Sequence, residues 1–284
     1  MADTNSSDNL SAPREPSGQP ADSEHIDERP WRSKDDKPEK RRGSLLREAV
    51  IIIGCVLLLT WLLQTFIGRQ YVIPSESMEN TLHGCAGCTN DRIVIDKLTY
   101  RFGDPHAGDV IVFRAPTESW DGEWLSPRSS NTAVKGIQDA LSWFGFAPPD
   151  ENDLVKRVIA TGGQTVECRN ADKVGVTVDG KPLVEPYIDM ALQLNDVTNL
   201  GNEMAAGPDG KPNACLGPDF GPIKVPVGNV WVMGDNRAYS ADSRFHMEDQ
   251  YHGTVPIGDI RGRVRFIIYP FSRIGGVGSY NPQR

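Results

Sequence analysis

The sequence predicts a mainly β protein, in which an antiparallel β domain follows a single N-terminal transmembrane helix. Three observations lead to this prediction. Residues 49–68 form one long apolar segment without a charged side chain. In residues 69–284, apolar residues instead occur in short runs that end at Gly, Pro or Asp, which is typical of strands and turns. No segment of that region has the length and the 3.6-residue period of a long amphipathic helix.

The apolar segment has the length of a membrane span. A helix rises about 1.5 Å per residue, so residues 49–68 extend about 30 Å, the thickness of the hydrocarbon core of a bilayer. With its flanks, the predicted transmembrane helix covers residues 45–68. A cleavable secretory peptide is the rival interpretation, but it requires a shorter apolar core and a small-residue cleavage site. The segment Gly68-Arg69-Gln70 is not such a site.

Positively charged residues flank the span almost entirely on its N-terminal side. They are Arg32, Lys34, Lys37, Lys40, Arg41, Arg42 and Arg47. After the span, Arg69 is the only basic residue before Arg92. Because basic flanks stay on the cytoplasmic side, we expect a single-pass cell-membrane protein with a cytoplasmic N-terminus and an extracytoplasmic domain.

Residues 1–44 are predicted to be a disordered cytoplasmic tail. They are rich in Ser, Pro and charged residues and poor in aromatic ones, so they cannot bury enough apolar surface to offset the entropy lost on ordering. The basic run at residues 40–42 is expected to contact the lipid bilayer. The formal net charge of −8 and the lack of a basic patch argue against a nucleic-acid partner.

Strands are predicted where short apolar or alternating runs end at a turn signal. The predicted strands are residues 91–96, 109–114, 154–160, 174–178, 229–233 and 262–269. Two long segments between them are rich in Ser, Pro, Gly and Asn. Residues 116–149 are predicted to be an irregular loop with one short helix at 133–144, and residues 191–226 a long excursion.

Four of the five cysteines follow the span, while Cys55 lies within it and is expected to act as a small apolar residue. Disulfides persist outside the cytoplasm, and four cysteines allow three pairings. The disulfide candidates are Cys85, Cys88, Cys168 and Cys215. The closely spaced first pair would close a small loop and leave the other two to pair with each other. Free thiols and a zinc site that includes His83 are the alternatives; we expect no metal.

Lys156 lies among apolar residues in a predicted strand. An exposed lysine has a pKa of about 10.4 and is protonated at neutral pH, whereas burial favours the neutral amine, which is able to act as a general base for a serine. The alternative is a structural lysine whose amine reaches water at a strand edge. The G-x-S-x-G and S-x-x-K patterns are absent. Spacing leaves a Ser-His-Asp triad open, but the five histidines lie in polar segments, where we expect surface positions.

Four motifs, in order along the chain, resemble those of the bacterial type I (leader) signal peptidases. The first, directly after the span, is Pro74-Ser-Glu-Ser77-Met-Glu-Asn-Thr-Leu82. The others are Gly108-Asp-Val-Ile-Val-Phe113, Val155-Lys156-Arg157 followed by Gly162-Gly163, and Gly234-Asp-Asn-Arg-Ala-Tyr-Ser-Ala-Asp-Ser-Arg244. The resemblance covers the span and the outer region, without the tail and the long loops. Lysine at position 156 matches the bacterial type, because the eukaryotic-type relatives use histidine.

The resemblance implies catalytic roles for four residues. Ser77 matches the nucleophile, and Lys156 matches the general base that later protonates the leaving amine. Ser75 matches a hydroxyl that forms the oxyanion hole with the Ser77 backbone N–H, and Ser240 matches a serine that orients the lysine amine. Two ion pairs match those that support the site, namely Arg157 with Asp235 and Asp242 with Arg244. The positions that match substrate-pocket residues are Tyr71, Ile73, Met78, Leu82, Val112 and Val155.

The resemblance further implies a membrane-bound serine endopeptidase without a cofactor, which removes N-terminal signal peptides by cleavage after small residues in A-x-A-like sites. Its partners would be signal-peptide-bearing preproteins that emerge from the export machinery. The implied fold has a peptidase core at residues 69–168 and 226–284, with a smaller inserted β domain at 169–225. Ser77 lies nine residues after Gly68, so an extended chain carries it at most about 30 Å from the end of the span.

Two other functions compete with this one. A repressor-type Ser-Lys autoprotease would be soluble and would carry its own cleavage site, so the span argues against it. A non-catalytic, membrane-anchored β domain that binds wall or secreted partners would not need Ser77, Lys156 and Ser240 together. Incubation of the detergent-solubilised protein with a precursor that carries an A-x-A signal would separate the three hypotheses.

Overall fold

The structure is a computed structural model that describes residues 42–85, 87–120, 128–143, 152–199 and 205–284, so residues 1–41 of the predicted tail lie outside it. Its helices are α1 (Arg42–Leu62), α2 (Thr99–Phe102), α3 (Thr132–Trp143) and α4 (Met190–Asn199). Its strands are β1 (Gly68–Val72), β2 (Arg92–Asp96), β3 (Val110–Arg114), β4 (Asp153–Thr161), β5 (Thr165–Cys168), β6 (Thr177–Val178), β7 (Lys181–Pro182), β8 (Phe220–Lys224), β9 (Asn229–Met233), β10 (Val255–Pro256), β11 (Ile260–Tyr269) and β12 (Gly275–Gly276).

One helix, over Leu45–Phe66, is long and apolar enough to cross a membrane. α1 continues into a wider π-helical turn at Leu63–Ile67, and β1 begins at Gly68. From Val50 to Phe66 the large apolar side chains of this helix are mostly exposed. An exposed apolar surface of this length is what a membrane span requires, because lipid rather than protein covers it.

An eight-stranded antiparallel sheet forms the larger part of the domain. Its strand order is β1-β2-β11-β3-β4-β9-β10, and β12 pairs with β11. The predicted strands 91–96, 109–114, 154–160, 229–233 and 262–269 correspond to β2, β3, β4, β9 and β11. The predicted fold class, mainly antiparallel β after one N-terminal apolar helix, is confirmed.

A second, four-stranded sheet has the order β7-β6-β5-β8. β5 immediately precedes the predicted insert at residues 169–225, and β6, β7 and β8 lie within it. Phe220 of β8 stacks on Trp231 of β9, with ring centroids 5.5 Å apart. A disulfide between Cys168 and Cys215 lies in the same buried cluster. The small sheet is therefore packed against the strand that leads into the 234–244 motif.

The structure differs from the sequence predictions in two connecting segments. The predicted strand 174–178 shortens to β6, because Gly175 adopts a left-handed φ of 84° that interrupts an extended strand. The predicted long excursion over residues 191–226 contains most of α4 and all of β8, two elements that the sequence did not predict. The predicted helix at 133–144 corresponds to α3.

Candidate active site

Ser77 lies on a short 3₁₀ turn, Glu76–Met78, just beyond β1. The chain enters this turn in an extended conformation, and the Ile73 N–H donates to the Asp91 carbonyl over 2.9 Å. Ser77 is buried, and its hydroxyl lies 3.2 Å from the hydroxyl of Ser75. The sequence-predicted nucleophile and the predicted oxyanion-hole serine are therefore neighbours in the fold.

Lys156 is buried in the middle of the large sheet. Lys156 stands opposite Ile111 of β3, and Val158 points to the same face of β4 as Lys156. The Lys156 side chain therefore leaves the strand among buried apolar groups. This burial lowers the pKa of the Lys156 amine to about 8; Asp242 opposes the shift and Arg244 adds to it. With that pKa, about a tenth of the amines are neutral at pH 7.

Gly234 is the point at which the predicted catalytic residues converge. The antiparallel register of β4 with β9, continued by one residue, places Lys156 opposite Gly234. Opposite residues in such a pair point to the same face of the sheet. A Cβ on Gly234 would overlap the Ser240 side chain and approach the Ser77 carbonyl oxygen to 2.5 Å. The Lys156 side chain therefore points to the face on which Ser240 and Ser77 lie.

The Arg157–Asp235 pair lies on the opposite face of β4. Arg157 Nε and Nη2 donate to the two Asp235 carboxylate oxygens over 2.8 and 2.6 Å. Arg157 Nη1 donates to the Gly108 carbonyl over 2.9 Å, and the Tyr187 ring lies 4.1 Å from the guanidinium carbon. Both charged groups are buried and fully paired, which fixes the start of the 234–244 loop relative to β4.

The Asp242–Arg244 pair is also completely buried and organises the other end of this loop. Arg244 Nε and Nη2 donate to the Asp242 carboxylate over 2.8 and 2.9 Å. The Gly234 N–H donates to the same carboxylate over 2.9 Å. The Arg244 backbone N–H also donates to this carboxylate, over 3.3 Å. The negative charge of Asp242 is thus held by four donors, and Arg244 offsets the effect of burial, so the pKa of this carboxyl is lowered.

The six positions that match substrate-pocket residues all belong to one apolar cluster. Ile73, Met78, Leu82 and Val112 are buried in it, and Tyr71 and Val155 pack against it partly exposed. The structure therefore brings the six together beside the Ser77 turn. A cavity of about 400 Å³ opens nearby, but it is lined by other residues, including Asn80, Thr81 and Tyr187.

The four cysteines that follow α1 form two disulfides, Cys85 with Cys88 and Cys168 with Cys215. The donor atoms of His83, Cys85 and Cys88 lie within 4.8 Å of one another. Cysteine binds zinc as a thiolate, and the disulfide between Cys85 and Cys88 occupies both sulfurs, so this group does not fit a metal in the structure as it stands.

His246 is less exposed than its polar sequence context suggested. Its ring stacks on Trp120 with centroids 4.1 Å apart, and this burial lowers its pKa. It faces the charges of Asp242, Asp249 and Lys156, and no hydrogen bond joins it to Ser77 among the described residues. His246 is therefore not hydrogen-bonded to Ser77 as a general base would be.

Sequence reasoning assigned no role to Asn236 or to α4. The Asn236 N–H donates to the Ser77 carbonyl over 3.1 Å, and its side-chain amide donates to Asp196 of α4 over 2.7 Å. Asn236 lies inside the 234–244 motif, so its position was visible in the sequence. The N-cap of α4 was also visible: Asp189 Oδ1 accepts from the Ala191 N–H over 2.9 Å.

The family model of signal peptidase, peptidase S26, matches residues 46–269 of the chain. The chain belongs to this signal peptidase family. A signal peptidase I of Mycobacterium tuberculosis is 52% identical over 257 residues, which cover 89% of this chain and 82% of the relative. A probable signal peptidase I of Mycobacterium leprae is 49% identical over 258 residues, which cover 87% and 84%.

A crystal structure of a signal peptidase I from Enterococcus faecalis aligns with 57% of this chain and 97% of its own, at 23% identity and a TM-score of 0.31. Family membership confirms the predicted resemblance to bacterial type I signal peptidases and the prediction of an enzyme. This signal peptidase is a hydrolase of the serine-peptidase class. The roles of individual residues remain predictions.

Proposed function

We propose that this signal peptidase removes N-terminal signal peptides from exported preproteins, with Ser77 as nucleophile and Lys156 as general base. The proposal rests on the position of Lys156 opposite Gly234. There the buried and partly neutral Lys156 amine points to the face of the sheet on which Ser77 and Ser240 lie. Ser240 Oγ is buried and has no hydrogen-bond partner within the described ranges. It is therefore available to orient the amine.

In the acylation step, Ser77 Oγ attacks the scissile carbonyl carbon while its proton passes to the neutral Lys156 Nζ. The carbonyl oxygen becomes an oxyanion, which accepts hydrogen bonds from the Ser75 hydroxyl and the Ser77 backbone N–H. Donors of this kind are worth about 3 kcal/mol each in related reactions. Collapse of the intermediate breaks the C–N bond, and the Lys156 ammonium protonates the leaving amine.

In the deacylation step, the neutral Lys156 amine takes a proton from water, and the resulting hydroxide attacks the ester that joins the signal peptide to Ser77. Breakage of the C–O bond returns the proton from the Lys156 ammonium to Ser77 Oγ and releases the signal peptide as a carboxylic acid, which loses its proton to solvent. One base thus serves both halves of the reaction.

The substrate would bind in an extended conformation beside β4. Residues 153–157 of β4 pair with β3 on one edge, whereas the pairing with β9 begins only at Arg157. Among the described strands, none covers the other edge of residues 153–156. An extended peptide that pairs there gains main-chain hydrogen bonds next to Lys156, and its alternate side chains turn toward the apolar cluster.

Mid-sized apolar side chains in this cluster leave room for small substrate residues only. We therefore expect a requirement for Ala, Gly or Ser at the cut and two residues before it, with tolerance between them. A precursor with an A-x-A site and its variant with leucine at the cut test this directly. Overpacking costs about 1–3 kcal/mol, or about tenfold to a few hundredfold in rate. Equal cleavage of the two precursors would refute the proposed specificity.

Anchoring by the Leu45–Phe66 helix, with the N-terminus in the cytoplasm, completes the proposal. This anchor holds the Ser77 turn close to the extracytoplasmic surface of the cell membrane, where a signal peptide leaves the export machinery. Protease added outside wall-free cells should degrade the region after Gly68 and spare the region before Arg42. Protection of the C-terminal region would reverse the orientation.

A further inference from the structure

The segment at residues 185–199, which we name the buttress segment, contacts both loops that carry the proposed catalytic serines. It lies within the predicted insert and contains α4. Two of its polar side chains are almost completely buried: Gln193 is 0% exposed and Asp196 is 2% exposed. Buried amides and carboxylates are unfavourable unless they form hydrogen bonds. The contacts that these two make therefore show what α4 does.

Both buried side chains of α4 receive hydrogen bonds from the 234–244 loop. The Ala238 N–H donates to Gln193 Oε1 over 2.8 Å. The Asn236 side-chain amide donates to Asp196 Oδ2 over 2.7 Å. Apolar packing between α4 and this loop is small and consists mainly of Val197 against Ala238. The polar contacts therefore fix the position of the loop on the helix.

The opposite side of this loop contacts the nucleophile turn. The Asn236 N–H donates to the Ser77 carbonyl over 3.1 Å, and Ser240 follows in the same loop. Asn236 thus joins Ser77 through its backbone and α4 through its side chain. A shift of α4 would move the carbonyl of the nucleophile and the hydroxyl of Ser240 together.

A second set of contacts joins the start of the buttress segment to the same two loops. The Asn80 side-chain amide donates to Asp189 Oδ2 over 2.6 Å. Arg237 donates through Nε to the Gly234 carbonyl over 2.8 Å, and its guanidinium pairs with Glu185. The buttress segment therefore contacts the nucleophile loop through Asp189, and it contacts the 234–244 loop through Glu185 and through α4.

We propose that Gln193 and Asp196 are positioning residues that hold residues 236–240 so that Ser240 and Ser77 keep their placement relative to Lys156. They act through the loop and touch no reacting atom. This inference rests on the proposed Ser77–Lys156 chemistry, and it gives part of the insert a role in catalysis. A misplacement of about 1 Å at a reacting centre costs about a hundredfold in rate, so small changes in α4 should be measurable.

Two variants of the full-length, detergent-solubilised enzyme test the proposal. Gln193→Met keeps the side-chain length but removes the acceptor, and Asp196→Leu removes the other acceptor at similar volume. Each should lower kcat for precursor cleavage about tenfold to a hundredfold while KM changes less than about twofold. Asp196→Asn retains an acceptor oxygen and should therefore keep most of the activity that Asp196→Leu loses. Thr198→Ala, on the exposed side of the same helix, is the matched control.

The pH dependence of kcat/KM separates positioning from a general loss of folded protein. A displaced loop admits water to the amine, so the apparent pKa of Lys156 in the two variants should rise above about 8 toward that of an exposed lysine. A structural defect alone would lower the fraction of active enzyme and leave the profile unchanged. If Asp196→Leu yields no folded protein, Gln193→Met, which leaves the carboxylate in place, decides the question.

Wild-type kcat in Gln193→Met, or reduced activity with an unchanged pH profile, would overturn the positioning role. The proposed function fails differently, since Ser77→Ala would then retain activity. Loss of activity in Ser77→Ala together with wild-type behaviour of Gln193→Met would refute the positioning role of the buttress segment and leave the proposed function intact.

Discussion

The two faces of β4 carry adjacent buried cations with opposite properties. Lys156 is 4% exposed and Arg157 is 2% exposed. Arg157 is bound by the Asp235 carboxylate, the Gly108 carbonyl and the Tyr187 ring. Lys156 forms no ion pair with a described residue and leaves the strand among apolar neighbours. Arginine stays protonated in either environment, whereas a lysine among apolar neighbours is able to give up its proton.

The pKa values follow the same division. Burial lowers the pKa of both side chains, but the hydrogen bonds and charge of Asp235 reverse the effect at Arg157, whose pKa is raised. At Lys156 burial prevails and lowers the pKa from 10.5 to about 8. That difference corresponds to about 3 kcal/mol. One strand thus holds a paired charge on one face and the proposed base on the other.

The largest effect is expected from Lys156→Met, which removes the base but fills the same space. Precursor cleavage should fall at least about a thousandfold, because general-base catalysis is lost. Thermal stability should stay the same or rise, since a buried amine is replaced by an apolar group. Single-turnover cleavage and thermal unfolding measure the two quantities. Lys156→Arg should be inactive too, because arginine remains protonated. Activity in Lys156→Met would remove the base assignment.

Arg157→Met, the matched change on the other face, should act on stability. It leaves the buried Asp235 carboxylate without its cation, which costs about 3–5 kcal/mol of the free energy of unfolding. Denaturant unfolding in detergent measures this loss. Addition of Asp235→Asn should recover part of it, because the uncompensated charge is removed. If Arg157→Met were as stable as the parent, the two faces would not differ as described.

The pH profile tests the comparison without a mutation in the site. Because only the neutral amine accepts a proton, kcat/KM should rise about fiftyfold between pH 6 and pH 8 and level off above the pKa of about 8. Protonation at low pH removes the base, so the loss is on the acid side. A profile that is flat from about pH 5 to 9 would contradict a lysine base.

Ser240→Ala should have the smallest effect, about tenfold in kcat, because it removes an orienting hydroxyl and no reacting group. The double variant with Lys156→Met should be no less active than Lys156→Met alone, since Ser240 would then have no amine to orient. An additive loss in the double variant would show that Ser240 acts independently of Lys156.

The strand that carries both Lys156 and Arg157 was predicted from the sequence, because short apolar runs with clear ends are local signals. The disposition of Ser77, Lys156 and Ser240 was predicted only through the motif resemblance. α4 was not predicted, because Asn195, Asp196, Thr198 and Asn199 are weak helix formers. Its stability comes from contacts of Gln193 and Asp196 with residues far along the chain, which no local pattern records. The strand predicted at 174–178 is shorter in the structure for a local reason, the left-handed conformation of Gly175.

Gly234 has a consequence for the tolerance of this chain to variation. It supplies no chemical group, yet even alanine there would collide with Ser240 and with the Ser77 carbonyl. A library randomised at every position and sorted for activity should therefore return glycine at 234 as strictly as serine at 77. The positions that such a library keeps invariant would therefore outnumber the groups that take part in the reaction. Some positions are invariant because a side chain there would fill space that catalytic residues need.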